Sequence, residues 1–193
     1  MTTLNNKTLY AEPLTESEYN EHVCNCDGEA ALYVGTYGKY NAGSIDGAWV
    51  NIESFDDKEE FFDFCRRLHA DEHDPEFMYQ DFEGFPKSWY SESCMGDKID
   101  RIIEWAQLDE DEKEIIEEYW DEAGGDEDEE FQDILDKCVY HGDNCNDYYD
   151  ELADLCFEDN KAWEKMQCYF DWEKWRRDCS YDYTETSNCI FQI

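Results

Sequence analysis

The first half of the chain alternates between runs typical of strands and a run typical of a helix. Residues 32–37 and 48–52 are rich in β-branched and aromatic residues, and turn-forming residues at 41–44 separate them, which predicts two antiparallel strands. Residues 77–82 predict a third strand, which a loop at 83–86 closes. A helix between these strands is predicted from four apolar residues that share one helical face: Phe61, Phe62, Cys65 and Leu68.

The centre of the chain carries two amphipathic helix patterns. In the first, apolar residues recur at spacings of three and four; they are Ile99, Ile102, Ile103 and Ala106. The second apolar stripe consists of Ile115, Ile116, Tyr119 and Trp120. It ends at Gly124 and Gly125, residues that commonly terminate helices. Acidic runs at 109–112 and 126–130 lie around these patterns, so we expect carboxylates to cover the outer faces of both helices.

The remaining segments predict short helices and two more strands. Residues 131–138 indicate a helix, residues 138–141 a strand, and residues 189–193 an alternating strand that closes the fold. Two further helices are expected: one entered near 143–144 with Leu152, Leu155 and Cys156, and one with Trp163, Met166 and Phe170. Apolar residues show no strong periodicity in residues 1–29, but Thr15 followed by Glu18 predicts a capped turn.

These elements predict an α+β fold, with short antiparallel sheets in the N- and C-terminal lobes and an acidic helical middle. We expect an N-terminal extension at 1–29, an α+β lobe at 30–91, an acidic helical lobe at 92–127 and a second α+β lobe at 128–193. No internal repeat is evident.

The charge of the chain changes how these elements are interpreted. The sequence has a formal net charge of −37, and yet 17% of its residues are aromatic. Because a disordered acidic tail lacks aromatic residues, the carboxylates are expected on a folded surface. Residues 100–160 contain 25 acidic residues against three basic ones, so the charge concentrates in the middle. Duplex DNA carries one charge per about 1.7 Å of axis, and charge at that spacing favours an elongated molecule or a dimer.

The last segment of the chain is nearly neutral. Lys174, Arg176 and Arg177 lie close together among Trp172 and Trp175. Beside so many acidic residues, this basic cluster suits packing within or between subunits. An ordinary helix surface is the alternative interpretation.

The sequence contains ten cysteines, so the redox compartment matters. The first residues lack the apolar core of a secretory signal, and no apolar run approaches the length of a membrane span. We therefore expect a cytoplasmic protein with reduced thiols, many of them buried as small hydrophobic side chains.

Two clusters of potential metal ligands are weak candidates. His69 and His73 are four residues apart and have acidic neighbours, which is compatible with a metal site, although solvated residues at a helix end are the simpler interpretation. His22 with Cys24 and Cys26 lacks the two-residue cysteine spacing of zinc sites.

The acidic composition argues against a dedicated catalytic or calcium site. Residues 143–147 lack the glycine and the glutamate that a calcium loop requires. Carboxylate pairs can act as general acid and base, but 52 acidic residues make any pair uninformative. We expect no metal, no cofactor and no enzymatic activity.

The net charge also limits the choice of partner. It repels nucleotides and nucleic acids, so direct nucleic-acid binding is not expected. Solubility needs a charge magnitude of only about 2–8 in a small domain, so the surplus calls for another explanation. Halophilic adaptation is one, and attraction to the basic groove of a DNA-binding protein is another.

Particular residues resemble those of a known family. The segment 32–43, which ends in Tyr40-Asn41-Ala42-Gly43, and the segment Gly47-Ala48-Trp49-Val50 resemble the opening strand, turn and second strand of the ArdA antirestriction family. The acidic central helices, residues 143–159 and the end of the chain at 190–193 are also similar to that family.

The resemblance implies a function that needs no chemistry. ArdA-like proteins are carried by mobile genetic elements and phages, and they inhibit type I restriction–modification enzymes by imitating DNA. The resemblance therefore implies Asp and Glu side chains at phosphate positions, on an elongated, curved molecule of small lobes that forms a homodimer through its C-terminal lobe. By motif matching, the residues implied as fold determinants, not as an active site, are Tyr40, Asn41, Gly43, Gly47 and Trp49.

The carboxylates expected to imitate phosphates lie in the middle of the chain and in the segment after it. Those in the central helices are Glu104, Asp109, Glu110, Asp111, Glu112, Glu114, Glu117, Glu118, Asp121 and Glu122. Those in the following acidic run are Asp126, Glu127, Asp128, Glu129 and Glu130. The last four are Asp147, Asp150, Glu151 and Asp154. The alternative is an acidic interaction protein that shields another basic partner, such as a nucleoid protein or a repressor.

Overall fold

The structure is a computed structural model that describes residues 3–4, 7–8, 10–23, 25 and 28–192. Its helices are α1 Glu16–His22, α2 Tyr37–Asn41, α3 Lys58–Leu68, α4 Ile99–Gln107, α5 Glu110–Asp121, α6 Phe131–Lys137, α7 Asn146–Cys156, α8 Trp163–Met166 and α9 Trp172–Cys179. Its strands are β1 Thr3–Leu4, β2 Lys7–Thr8, β3 Ala31–Thr36, β4 Ala48–Asn51, β5 Phe77–Glu83, β6 Cys138–His141, β7 Thr184–Glu185 and β8 Cys189–Phe191.

The chain divides into two compact units, Met1–Leu108 and Asp109–Ile193. The boundary falls inside the segment 92–127, so α4 belongs to the first unit and α5 to the second. Helices together with small antiparallel sheets in both units confirm the predicted α+β class. The finer division into four segments stays a prediction.

A three-stranded antiparallel sheet forms the centre of the first unit. Its strand order is β4-β3-β5, and the register places Tyr33 opposite Trp49, whose rings meet edge to face at 5.5 Å. The three predicted strands are therefore confirmed. Gly47 is required at the start of β4, because a Cβ there would lie 2.4 Å from the Val34 carbonyl oxygen.

Residues 10–23, 25 and 28–30, which we call the N-terminal segment, pack onto this sheet and onto α3. Thr15 and Glu18 form a capping box at the start of α1, which confirms the predicted cap. Val23 forms an antiparallel bridge with Val50 of the edge strand β4. The carboxylate of Glu18 pairs with the Arg67 guanidinium of α3 at 2.8 Å. The segment is therefore part of the folded first unit.

A second three-stranded antiparallel sheet organises the second unit. Its order is β6-β8-β7, so the short strand β8 is central and fully buried. Aromatic rings of α8 and α9 form a separate cluster around Phe170, which lies between these helices and contacts Trp163, Trp172 and Trp175 at centroid distances of 4.9 to 5.7 Å. These rings join the short helices α8 and α9.

Several sequence predictions need correction in detail. Tyr37, predicted as the end of a strand, is the first residue of the short helix α2, because the Thr36 hydroxyl accepts the Lys39 amide at 3.1 Å and caps a helical turn. The strand β7 was not predicted, and the helix α9 was predicted only through the alternative interpretation of the basic cluster as a helix surface. Leu155, expected on a packed helix face, is 68% exposed, whereas Tyr149 and Ala153 are buried in its place.

The cysteines are less buried than expected. Cys65 and Cys189 are buried, whereas Cys94, Cys156 and Cys168 are exposed. All eight cysteines in the described part of the chain carry free thiols. Across those same described residues, every helix is too short or too polar to cross a membrane.

Candidate functional site

The structure places all of the predicted phosphate-mimicking carboxylates at the surface. Glu112, Glu118, Glu129 and Asp150 are half-buried, and the other fifteen are exposed. Glu104 lies on α4 in the first unit, whereas the rest lie in the second unit. Their contacts divide them into carboxylates that face solvent and carboxylates that hold the fold together.

Four carboxylates form one row along the outer face of α5. Helical spacing puts these residues on the side opposite the buried Ile116 and Tyr119. We call this row the α5 stripe, and its members are Glu110, Glu114, Glu117 and Asp121. Two basic side chains lie near the row: the Lys113 ammonium is 3.6 Å from Glu110, and Nε2 of His141 is 3.6 Å from Glu114. The helix therefore presents a row of negative charge to solvent.

The electrostatics of Glu117 show that the four carboxylates act on one another. Partial desolvation raises the pKa of Glu117, and the charges of Asp121, Glu110 and Glu114 raise it further. Like charges three and four residues apart destabilise a helix by about 0.2–0.5 kcal/mol per pair. The α5 stripe is thus a local cost to the stability of the helix, which the buried face of α5 offsets.

The neighbouring flank of α5 has a structural role. Glu118 accepts hydrogen bonds from Thr186 and from the backbone and side chain of Asn188. Glu122 accepts the backbone amide of Ser187 at 2.7 Å and its hydroxyl at 2.8 Å. These carboxylates fix the turn between β7 and β8. Glu114 of the stripe also accepts the Asn188 side chain, at 3.2 Å.

Hydrogen bonding lowers the pKa of Glu118 in spite of its surroundings. Desolvation by itself raises that pKa, but the bonds from Thr186 and Asn188 outweigh it. The carboxylate therefore stays charged while it holds the turn.

Other predicted carboxylates cap helices or pair with a lysine. Asp109 and Glu112 form a reciprocal capping box at the start of α5, with distances of 2.8 and 3.0 Å. Glu129 pairs with Lys137 and accepts the Tyr119 hydroxyl at 2.9 Å. The hydrogen bond from Lys137, followed by that from Tyr119, lowers the pKa of Glu129. These groups are charged but committed to the fold.

The carboxylates of α7 are divided in the same way. Asp150 accepts two nitrogens of the Arg176 guanidinium at 2.9 and 2.6 Å. Asp154 accepts the indole of Trp163 at 2.6 Å. By contrast, Glu151 on the same helix is exposed. The predicted basic cluster is therefore an intramolecular packing element at Arg176, as one interpretation of the sequence expected.

The remaining bases of that cluster lie on the surface. Arg177 lies 3.3 Å from the adjacent Asp178 in an exposed pair, and Lys174 is exposed. They match the alternative interpretation, an ordinary helix surface.

The histidines that were weak metal candidates do not converge. His69 is 1% exposed, and both of its ring nitrogens have partners: Nε2 lies 3.2 Å from the Val34 carbonyl oxygen, and Nδ1 lies 3.0 Å from the Lys39 ammonium. His73 is exposed and contacts the Tyr10 ring edge to face. Cys24 and Cys26, the other candidates, lie outside the described residues. Within the described residues, no group of three or more His, Cys, Asp or Glu side chains is arranged to hold a metal ion.

Some motif residues have clear roles in the backbone. Gly43 has a φ of 84°, which favours glycine, and Gly47 is required by the close approach of Val34. Trp49 packs against Tyr33. Tyr40 and Asn41 are exposed, so their part in the motif has no packing explanation.

The sequence analysis did not predict the residues that bind Glu118 and Glu122 of α5. Thr186, Ser187 and Asn188 supply most of the donors that hold α5. A run of Thr, Ser and Asn before a short strand is a turn signal, and this signal was available at residues 186–188. Their acidic partners lie 65 to 70 residues away, and local patterns do not reveal such pairs.

Comparison with known proteins connects these two units to one family. No curated protein sequence gives a significant match to the chain. A family model described as antirestriction protein (ArdA) matches residues 32–191. The match runs from β3 to the end of β8, so it includes the acidic helices of both units and leaves out the N-terminal segment. Because the match covers most of the chain, the protein belongs to the ArdA family of antirestriction proteins.

Proposed function

We propose that this protein inhibits type I restriction–modification enzymes by occupying their DNA-binding channel as a DNA mimic. The observation that carries the proposal is the α5 stripe, a row of four carboxylates on the outer face of a helix whose other faces are packed or hydrogen-bonded. Membership of an antirestriction family supports the inhibition of restriction. The imitation of phosphates is the step that we add.

The dimensions of the stripe suit this role. Its ends are eleven residues apart, and at 1.5 Å per residue the row is about 16 Å long. One strand of a duplex has a phosphate per 3.4 Å of axis, so the same length carries about five phosphates. Four carboxylates in that length give a charge density of the same order.

The surrounding contacts make the stripe rigid. The Asp109–Glu112 capping box fixes the start of α5, and the Glu118–Asn188 bonds fix its flank. A preformed array avoids part of the entropy cost of ordering side chains on binding. The structural carboxylates thus serve the mimic indirectly, because they hold in place the carboxylates that face the partner.

Binding by such an array is electrostatic. When a basic channel binds DNA, many weak contacts to phosphates release counterions, and the affinity for DNA therefore falls steeply with salt. An inhibitor that imitates phosphates should show the same dependence on salt. We therefore expect the inhibitor and DNA to exclude each other from one channel. No bond is made or broken, and the protein has no catalytic role in this mechanism.

We also propose that the protein works as a homodimer, as the family resemblance implies. A second copy doubles the number of carboxylates that are available to the channel. Sedimentation equilibrium of the full chain at several concentrations tests this point. A purely monomeric protein that still inhibits would contradict it.

The function is tested with a purified type I restriction–modification enzyme. Inhibition of DNA cleavage is measured with increasing competitor duplex and over a salt series. Mimicry predicts that competitor DNA relieves the inhibition and that salt weakens it. A nucleoid protein serves as the control partner: strong binding to it, without inhibition of the enzyme, would favour a general shield for basic proteins instead.

A further inference from the structure

An open groove of about 500 Å³ runs beside α9 in the second unit. None of its lining residues belongs to the α5 stripe. Its apolar wall is made of Tyr169, Phe170 and Trp175. Trp175 is held in place because its indole donates to the Tyr149 carbonyl at 2.8 Å. The Phe170 ring lies 5.7 Å from the Trp175 ring. Two rings of the wall are therefore fixed, and the third, Tyr169, is 88% exposed.

The rim of the groove carries more acid than base. Asp171, Asp178 and Asp182 line it together with one base, Lys174. Asp171 caps α9 by accepting the Lys174 amide at 3.0 Å, and Asp178 lies 3.3 Å from Arg177 in an exposed pair. A groove with aromatic walls and a negative rim complements a cationic side chain, because a cation is attracted to ring faces and to carboxylates alike.

The second unit already holds cations in this way. The Arg176 guanidinium lies over the Trp172 ring at 5.8 Å and binds the Asp150 carboxylate. The Lys137 ammonium lies 5.1 Å from the centre of the Tyr119 ring and pairs with Glu129. Both cations thus combine an aromatic face with a carboxylate. The groove offers the same two kinds of group, with Lys174 also in its lining.

We infer that this groove binds an arginine side chain of the partner protein. Arginine fits better than lysine, since its planar guanidinium stacks on aromatic rings while its edge donates to carboxylates. The inference rests on the proposed function for the identity of the partner, whose basic channel supplies arginines. The groove adds a specific anchor to an interaction that is otherwise made of diffuse charge contacts.

The test uses the full chain and a defined probe, the peptide acetyl-Gly-Arg-Gly-amide. Its uncharged citrulline counterpart is the matched control ligand. Binding is followed through the Trp175 indole N–H signal in ¹H–¹⁵N spectra, assigned with Trp175→Phe. An ionic strength of about 0.15 M, where the Debye length is about 8 Å, suppresses non-specific attraction to the acidic surface.

The arginine peptide is expected to shift the Trp175 signal saturably, with the citrulline peptide binding at least about tenfold more weakly. Tyr169→Ala removes an exposed ring and should weaken arginine binding by about threefold to tenfold. Asp182→Asn should weaken it in the same direction. Tyr181→Ala removes another exposed ring, 78% accessible and outside the groove lining, and should leave binding unchanged.

Three results would overturn the inference: no saturable shift, equal binding of both peptides, or no effect of Tyr169→Ala. Loss of the arginine-induced shift at protein concentrations where the homodimer forms would also overturn it, because a second copy would then fill the groove. Inhibition of the restriction enzyme is measured in parallel to separate the two proposals. Arginine binding without inhibition would contradict the proposed function only, and inhibition without arginine binding would contradict the groove only.

Discussion

The carboxylate of Glu118 accepts two hydrogen bonds from Asn188, from the backbone amide at 3.0 Å and from the side-chain amide at 2.8 Å. This contact joins α5 to the turn between β7 and β8, and so ties the acidic helix to the central sheet of the second unit. Glu117, the next residue toward the start of the helix, lies in the solvent-facing α5 stripe. Adjacent glutamates of one helix thus have opposite roles.

Neutralising these two glutamates should have opposite effects on stability. Glu118→Gln removes the charge that accepts the Asn188 bonds and should destabilise the second unit by about 1–2 kcal/mol. Glu117→Gln is the matched control, and it relieves like-charge repulsion worth about 0.2–0.5 kcal/mol per pair. Hydrogen exchange at the Ile190 amide of β8, compared between the variants, measures both changes. Equal effects would show that the contacts do not distinguish the two residues.

The α5 stripe should carry inhibition through the sum of its charges. The triple variant Glu110→Gln, Glu117→Gln and Asp121→Asn leaves Glu114, which also bonds to Asn188, in place. At about 0.5 kcal/mol for each exposed charge pair lost, inhibition should weaken by about tenfold, and each single change should have only a small effect.

The control for this variant is Glu16→Gln with Glu21→Gln. Both residues are exposed on α1 and lie outside the family match. Inhibition by the control should match that of the unchanged protein. If the control weakens inhibition as much per charge as the triple variant does, then net charge and not the stripe governs binding.

The buried His69 should make the first unit sensitive to acid. Burial, followed by the charge of Lys39, lowers the pKa of His69 from its ordinary 6.5, while the Val34 carbonyl, Glu72 and Asp71 act in the opposite direction. Since the folded state favours the neutral ring, this stabilisation is complete above pH 6.5 and is lost as the pH falls through the lowered folded-state pKa.

Urea unfolding between pH 7.5 and pH 5, conditions on either side of an ordinary histidine pKa of about 6.5, checks this expectation. His69→Gln should flatten the pH dependence of the first unit. His73→Gln, at an exposed position, should leave the dependence as it is. Identical pH profiles for the unchanged protein and His69→Gln would refute the role given to His69.

The ion pair between Glu18 and Arg67 should hold the N-terminal segment on α3. Hydrogen bonding to Arg67, then to Thr15, lowers the pKa of Glu18 to about 2. The stabilisation is therefore present above the ordinary pKa of 4.5 and is lost as the pH falls towards 2. Glu18→Gln keeps a side chain suited to the capping box but removes the charge.

Hydrogen exchange at the Val23 amide reports on this segment, because that amide donates to the Tyr19 carbonyl at 3.0 Å and closes the last turn of α1. At pH 7, where the Glu18 carboxylate is charged, Glu18→Gln should exchange faster than Glu16→Gln. Equal exchange in the two variants would mean that the ion pair does not hold the segment.

The sequence predicted the regular elements better than their contacts. The helical periods around Ile102 and Ile116 were strong, and both helices were found with those residues buried. The helix α2 was missed because aromatic residues continue from β3 into it, and only the hydroxyl of Thr36 ends the strand. The prediction for Leu155 was wrong because helical periodicity alone does not determine which of two adjacent apolar stripes on a helix packs against another element.

The roles of the carboxylates could be predicted only in part. Their presence on the surface followed from composition, since charged groups are rarely buried without partners. The division between Glu117 and Glu118 could not be predicted, because it depends on a turn 70 residues away from Glu118 in sequence. The basic cluster with aromatic neighbours indicated that Arg176 could pack within the protein, but the sequence did not identify Asp150 as its acidic partner.

The central claim is that the protein and DNA occupy the same channel. The most direct measurement is the dissociation constant of the protein for a purified type I restriction–modification enzyme, determined at increasing concentrations of a competitor duplex and at two salt concentrations. The account predicts that the apparent constant rises in proportion to competitor DNA, and that higher salt weakens binding. A ternary complex of enzyme, DNA and inhibitor, with an affinity that competitor DNA leaves unchanged, would contradict it.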